Sequence, residues 1–579
     1  MKFLINFLQL LSIKDKINFY FLIAASTINV FLELLSIGMV IPLIGILLNP
    51  DKVLSELNNY FPDLKIFNDF LNLELSSYLL YFLVIFFSIF LLKNIFIFFY
   101  FYYQNKFVQK IEADLAKRLL EKFFSQNYTF FVNKNSSSLI TKLTADLVTF
   151  TRGFVGPLIT LISELMIIIG FCLIIIFFKL TDIGFIFLFF FCITAFFLKI
   201  IGGFSKKWGK RRSIFDNDKI DILKTTFLNI KSIILDNKYS SRLSDFIFTT
   251  QKLADLHRKI ITISIVPKVS FELIGIFSIV VVLYYLVIND FSNEQIITTT
   301  GFFIAVAYRV IPSFQRIIFC YQQISFGKTV LKKIQEDLRL NNQVSYTEKK
   351  IGFKDNIELK NVNFSHTNRS QKIFENANIQ IKKGEIVGIF GESGVGKSTL
   401  VDIICGLIIP QSGSLFIDNL KINSLDYLRE WQNEIAYVTQ NTVLFRGSLK
   451  DNITFSNSEE RLNKKLLEKV VKQSKLEKFI NELPNGYETD VGEFGVKVSG
   501  GQKQRIGIAR ALYKQPKFLI FDEATNALDL NSEDYIFETI FKLKDEFTIL
   551  IISHKKSLIE RCDKIFKIQN SKVNLVSKF

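Results

Sequence analysis

Residues 391–399 read GESGVGKST, and this stretch decides the second half of the chain. It fits G-x-x-x-x-G-K-[ST], the phosphate-binding loop of an NTPase. The apolar run Ile386 to Phe390 precedes it, and Leu400 to Cys405 continues it as a helix. Gly391, Gly394 and Gly396 free backbone N–H groups of side-chain bulk, and the helix N-terminus adds positive dipole. Glu392, Ser393 and Val395 fill the rest of the loop. Lys397 supplies a full charge to the β- and γ-phosphates. Ser398 completes the motif and offers a hydroxyl to Mg²⁺, and Thr399 follows it in the helix. The implied ligands are a nucleoside triphosphate and Mg²⁺. A chance glycine loop would lack this strand and helix on its flanks.

Working outward, Phe518 to Phe521 (FLIF) reads as a strand ending in Asp522-Glu523. A carboxylate there can hold Mg²⁺ directly or through water. Glu523 is the expected general base for the attacking water. An acidic pair after a strand is otherwise a helix cap, and only the upstream phosphate loop favours catalysis. Ser499, Gly500, Gly501 and Gln502 open the next helix, a second anion site at a helix N-terminus.

The chain has 579 residues, 49% of them hydrophobic, with 62 Phe and a net charge of +17. That length exceeds one ordinary domain. The apolar residues concentrate before about residue 340, so a membrane domain (1–340), a polar linker (341–351) and a soluble α/β domain (352–579) are expected. Six apolar spans of near or above ~20 residues can be drawn, at about 18–48, 77–103, 155–178, 183–203, 260–288 and 296–322. The basic charge clusters between spans, as in Lys206, Lys207, Lys210, Arg211 and Arg212, while the connectors after Leu48 and Ile288 are more acidic. This is the signature of cytoplasmic basic loops rather than of a nucleic-acid surface. Both termini are expected in the cytoplasm, and no cleavable signal is read at the N-terminus. The five cysteines show no metal-like spacing. Residues 49–75 suit either an interfacial amphipathic helix or a solvated loop. Connectors near Asn127–Asn133 and Asp221–Asp236 are expected to carry short helices that dock on the soluble domain.

Taken together, these motifs resemble the ATP-binding cassette of ABC transporters, and six spans before one cassette resemble an exporter half-transporter. The resemblance implies that Gln440 is the Q-loop glutamine, catalytic and beside Mg²⁺, and that His554, after the strand Thr548 to Ile552, is the switch histidine. It implies that Ser499 to Gln502 complete the ATP site of a partner subunit, hence a dimer, with a homodimer expected and a heterodimer left open. Three positions depart from the family pattern. Val498 stands where leucine is usual, Asn526 where the D-loop has serine, and His366 where an adenine-stacking tyrosine is usual. His366 is taken as the adenine contact.

Across nearly the whole chain, including LSIKDK near the N-terminus and YRVIPSFQRII in the sixth span, the sequence is similar to bacterial flippases of lipid-linked oligosaccharides. The implied substrate is a polyprenyl-pyrophosphate-linked glycan, moved from the cytoplasmic to the outer leaflet of the inner membrane. Basic residues within apolar spans are costly and usually functional. Lys93, Lys268, Arg309 and Arg316 lie roughly 20–30 Å from the outer helix ends, where an inner-leaflet pyrophosphate would start. Snorkelling of long side chains is the competing account, and Glu272 could neutralise Lys268 one turn away. An exporter of lipid A, drugs or peptides, and a membrane ATPase acting only as a regulator, are the alternative functions.

Overall fold

The computed structural model describes residues 2–48, 75–177, 181–341, 352–365, 372–422, 425–456, 462–523, 537–538 and 540–576. It divides into two compact units, one of residues 1–123 with 134–340, the other of residues 124–133 with 341–579. The proposed interfacial stretch 49–75 falls, but for its last residue, outside the described residues.

The first unit is helical. An amphipathic helix α1 (Lys2–Leu10) leads into α2 (Ile13–Gly38), which continues after Met39 as Val40–Leu48. Ser12 caps α2 by accepting from the Asp15 backbone N–H, so the LSIKDK stretch is a helix start. Then come α3 (Leu75–Phe124), α4 (Tyr128–Asn133, grouped with the second unit), α5 (Gly156–Phe177), α6 (Thr181–Leu228), α7 (Ile230–Leu235), α8 (Tyr239–Ile288) and α9 (Asn293–Leu338). Among the described residues, six helices are long and apolar enough to cross a membrane. At about 1.5 Å per residue, the 50 residues of α3 run to roughly 75 Å, well beyond a hydrocarbon core of about 30 Å. The expected spans 77–103, 183–203, 260–288 and 296–322 therefore lie inside longer rods, whose polar ends keep helical hydrogen bonding after the apolar pattern stops.

What binds the rods is aromatic packing. Phe190 of α6, Phe271 of α8 and Phe314 of α9 stack with centroids 5.7 to 6.0 Å apart. Helix α9 comes close to the segment before α5, where a Cβ on Gly327 would lie 2.5 Å from Phe154 Cβ. Outward-facing Leu83, Phe87, Leu91 and Phe98 of α3 remain exposed, as lipid-facing side chains are. Pro312 lies within α9, and the helix continues through it.

The second unit is α/β. One antiparallel sheet has the order β2 (Phe374–Lys382), β1 (Asn356–Phe364), β4 (Ser412–Ile417), β5 (Leu420–Lys421). The other runs β10 (Lys572–Val576), β9 (Lys564–Gln569), β3 (Ile386–Phe390), β8 (Thr548–Ile552), β7 (Phe518–Asp522), β6 (Ile435–Val438). Strands β9 to β6 are parallel and β10 is antiparallel. The interior strands are almost wholly apolar, with every residue of β8 buried, as a parallel sheet covered on both faces requires. Helix α10 (Lys397–Ile404) packs between the two sheets through Leu400, Val401, Ile403 and Ile404. Helix α11 (Leu425–Asn433) adds Trp431, which is fully buried, stacks on Phe518 at 5.8 Å and donates its indole N–H to the Ile404 carbonyl at 2.7 Å. Helix α12 (Gly500–Tyr513) packs with Leu444, Leu449 and Val470 on the other face.

Trp431 makes the unit's stability testable. Trp431→Ala should cost about 3–5 kcal/mol by emptying its pocket. Trp431→Phe should cost less but leave the Ile404 carbonyl without its donor. Thermal unfolding of the detergent-solubilised protein should rank wild type above Phe above Ala.

Candidate functional site

Two sets of polar groups stand out, one in each unit. In the α/β unit, the loop after β3 is shaped by Gly394 and Gly396, with φ of +83° and +107°. A Cβ on Gly396 would come within 2.5 Å of Ile373, so this position takes only glycine. Residues Glu392, Ser393 and Ser398 are exposed, Val395 and Thr399 half-buried, and Gly391 buried. Lys397 is buried and donates to the carbonyls of Gly391 (2.9 Å) and Glu392 (3.0 Å). Burial lowers its pKa, while the charges of Glu523 and Asp522 oppose that shift.

Strand register brings the remaining groups to this loop. Ile552 pairs with Ile389 on one side and Asp522 on the other. Asp522, Glu523 and His554 therefore follow the strand ends beside the loop. His554 Nε2 lies 2.6 Å from Glu523 Oε1 and 3.2 Å from Lys397 Nζ. Gln440 donates from Nε2 to Glu523 Oε2 at 2.9 Å. Glu523 itself sits at φ +48°, a left-handed conformation that non-glycine residues hold only under constraint. Thus Lys397, Gln440, Glu523 and His554, drawn from four chain segments, form one connected network.

Tyr437 was not singled out by the sequence. Its hydroxyl donates to Asp522 Oδ2 at 2.6 Å across the β6–β7 pair. Burial pushes the Asp522 carboxyl upward, and this hydrogen bond works against the shift. Only the adjacency of β6 and β7 reveals the contact. Ser499 and Gln502 form a capping box at the start of α12: Gln502 N–H donates to Ser499 Oγ, and Ser499 N–H to Gln502 Oε1 at 2.8 Å. The S-x-x-Q spacing carried that signal. Ser499 and Gly500 are exposed, and Gly501 is half-buried. His366 and the D-loop stretch Asn526 to Asp529 lie outside the described residues.

In the helical unit, Arg309, Arg316 and Lys93 come together, joined by two carboxylates. Arg309 Nε lies 3.1 Å from Glu33 Oε2, and its Nη1 3.6 Å from Glu164 Oε2. Arg309 also donates to Ser313 Oγ at 2.7 Å. Arg316 Nη1 donates to Glu164 Oε1 at 2.7 Å. Lys93 Nζ reaches Glu33 at 3.5 Å and the face of Phe90 at 4.5 Å. Arg309 and Arg316 thus meet Glu164 from one face of α9. Lys268 stands apart on α8, exposed, with only its carbonyl near Gln315. The described residues hold no ion pair between Lys268 and Glu272. Glu164 is an ionisable residue inside an apolar span, as legible in the sequence as the basic ones.

Comparison with known proteins agrees with both halves of this architecture. Residues 17–310 match the family described as ABC transporter transmembrane region, and residues 374–526 the family described as ABC transporter. The chain belongs to the ABC transporter family. An ATP-dependent lipid A-core flippase of Saccharophagus degradans is 30% identical over 82% of this chain and 80% of its own length. An export ATP-binding/permease protein of Rickettsia bellii is 28% identical, over 82% of each. A bacterial Atm1-family ABC exporter, solved with ATP bound, superposes with a TM-score of 0.79 at 17% identity, over 97% of this chain and 94% of that one; it shares the fold. This transporter hydrolyses ATP and couples the hydrolysis to transport.

The network around Glu523 generates a direct test. Glu523→Gln should keep nucleotide binding near wild type and cut turnover by about 10²–10⁴-fold, since an amide cannot accept the water's proton. Lys397→Ala should instead weaken nucleotide binding. Equilibrium nucleotide binding and phosphate release, measured on each variant, separate the two roles.

Proposed function

We propose that this chain pairs with a second copy and flips a polyprenyl-pyrophosphate-linked glycan from the cytoplasmic to the outer leaflet of a bacterial inner membrane, with both termini cytoplasmic. The observation that carries the substrate is the charge cluster. Three cationic side chains face two carboxylates among apolar helices, and the Arg316 side chain is still 50% exposed. Such groups are expensive in lipid without a purpose. Guanidinium groups stay charged and match phosphate oxygens bidentately. Similarity to a lipid A-core flippase supports lipid flipping, and it also favours a second reading, lipid A-core itself as cargo.

At the nucleotide site, the residues fit ATP with Mg²⁺. Positive-φ glycines open the loop backbone, and the buried Lys397 ammonium now rests on carbonyls that a phosphate can replace. Ser398, Asp522 and Gln440 are the groups to hold Mg²⁺, which when bound neutralises charge on the phosphates. Tyr437 fixes the Asp522 carboxylate. Glu523 takes the proton of the attacking water. His554 and Gln440 hold Glu523 until nucleotide arrives, and His554 then turns to the γ-phosphate. Ser499, Gly500, Gly501 and Gln502 cover the nucleotide bound by the partner. Exposed Ile234 and Leu235 on the short helix α7 are an apolar patch suited to burial in the dimer.

Assembly can be tested by pairing a Ser499→Arg subunit with a Lys397→Ala subunit in a crosslinked dimer. The trans arrangement puts both lesions in one site and leaves the other intact. Nucleotide occupancy should show one intact site; none would contradict the arrangement.

For the substrate, vesicles carrying the purified protein and a labelled polyprenyl-pyrophosphate glycan should show ATP-dependent delivery to the far leaflet. The Arg309→Ala/Arg316→Ala double variant should lose about tenfold or more of that rate, and lysine at both positions should restore part of it. Unchanged delivery by a folded double alanine variant would sink the pyrophosphate role. Delivery of lipid A-core but not of the glycan would favour the second reading.

A further inference from the structure

The charge cluster is asymmetric in how its members are held. Arg309 has Glu33, Glu164 and Ser313 around it, and its side chain is only 12% exposed. Arg316 has Glu164 alone as its ion-pair partner among the described residues, at 2.7 Å, and half of its side chain is open. Glu164 is 4% exposed and divides its two oxygens between the arginines. Its Oε2 and the Nε of Arg309 are buried and lack hydrogen bonds of good geometry, so their pairing rests on ion-pair contact. Buried polar atoms left this way are costly. They are also atoms with hydrogen-bonding capacity to spare.

We propose that Glu164 is a specificity-determining residue: a built-in anion that occupies Arg316 in the empty site and must be displaced from it by the ligand's phosphate groups. The inference rests on the pyrophosphate-lipid reading and adds the rule by which that lipid is selected. When Arg316 is released, Glu164 keeps Arg309 as its partner, so no carboxylate is stranded without a counter-charge. A singly charged phosphodiester offers Arg316 no more charge than Glu164 already does. A pyrophosphate brings additional negative charge and a second set of oxygens for the fork of the guanidinium. The carboxylate therefore sets a threshold that common anionic phospholipids, the most abundant competitors in the membrane, do not pass. Discrimination is a difference of affinities, and an internal competitor raises it by penalising the weaker anion.

The test uses the full-length protein in nanodiscs of zwitterionic lipid, with undecaprenyl pyrophosphate or phosphatidylglycerol titrated in and ATPase stimulation as the readout. Wild type should respond to the pyrophosphate lipid and not to phosphatidylglycerol. Glu164→Gln should lower the half-stimulating concentration of pyrophosphate lipid by about fivefold or more and make phosphatidylglycerol stimulatory. Glu33→Gln adds the same net charge but leaves the Arg316 pair, so its shift should stay under about twofold. In an Arg316→Gln background, Glu164→Gln should produce no shift, the mark of coupling between the two. Glu164→Asp keeps the charge but draws it back from both arginines, and should shift the response about two- to threefold in the same direction. This variant decides the matter if the glutamine form melts early.

A wild-type response lost in Arg316→Gln but unchanged in folded Glu164→Gln and Glu164→Asp would overturn the inference and leave the pyrophosphate reading standing. Equal shifts in Glu33→Gln and Glu164→Gln would overturn it too, by tracing the effect to net charge. Wild-type indifference to the pyrophosphate lipid would overturn both.

Discussion

Parallel pairing of β3, β8 and β7 holds the nucleotide site together. Ile552 is level with Ile389 and with Asp522, so the phosphate loop, the acidic pair and His554 all leave the sheet at the same edge. A slip of one residue in either pairing would turn the side chains to opposite faces and separate Lys397 from His554. The buried β8, apolar but for Thr548, prevents such a slip, because every residue of it is packed on one face or the other. Glu523 in its left-handed conformation is held in that frame by its backbone N–H to the Ile552 carbonyl at 3.0 Å. The geometry of this polar network is thus a consequence of sheet register.

A different constraint rules the helical unit. Charge in an apolar medium must be paired or used. Lys93, Arg309 and Arg316 come from α3 and α9, and the carboxylates that answer them come from α2 and α5. Four helices are therefore tied through one polar knot, while aromatic stacking of Phe190, Phe271 and Phe314 binds α6, α8 and α9 separately. Packing of stacked rings is indifferent to ligand. An ion-pair knot is not, because its partners can be exchanged for other anions.

In both units most of the polar groups named above are partnered in the structure described, the buried Glu164 Oε2 and Arg309 Nε having ion-pair contacts only. Lys397 rests on loop carbonyls, Glu523 on Gln440 and His554, Asp522 on Tyr437, and Arg316 on Glu164. Each of these partners is one that a phosphate or a metal ion can replace without leaving a buried group stranded, since protein hydrogen bonds are exchanged for others of similar or greater strength.

Much of this was legible in the residues alone. The loop GESGVGKST, the acidic pair after FLIF, the six apolar stretches and the charge between them depend on local pattern, and local pattern survives folding. The helical pattern through Gln104 to Phe124 and Gly327 to Leu340 also reads past the apolar spans, and α3 and α9 do stay helical to Phe124 and Leu338, because backbone hydrogen bonding needs no apolar side chain. Tyr437 was silent, since a tyrosine on a buried strand reads as core until a neighbouring strand brings Asp522 to its hydroxyl. Glu33 and Glu164 were visible as ionisable residues in apolar spans, but their pairing with Arg309 and Arg316 was not. Sequence by itself determined which groups the chain carries: a phosphate loop, an acidic pair after a strand, a membrane domain and cations within it. Tertiary structure alone decided which of those groups meet, because Lys397, Gln440, Glu523 and His554 come from separate segments, as Glu33, Lys93, Glu164 and the arginine pair of α9 do, and are joined only by strand order and helix packing.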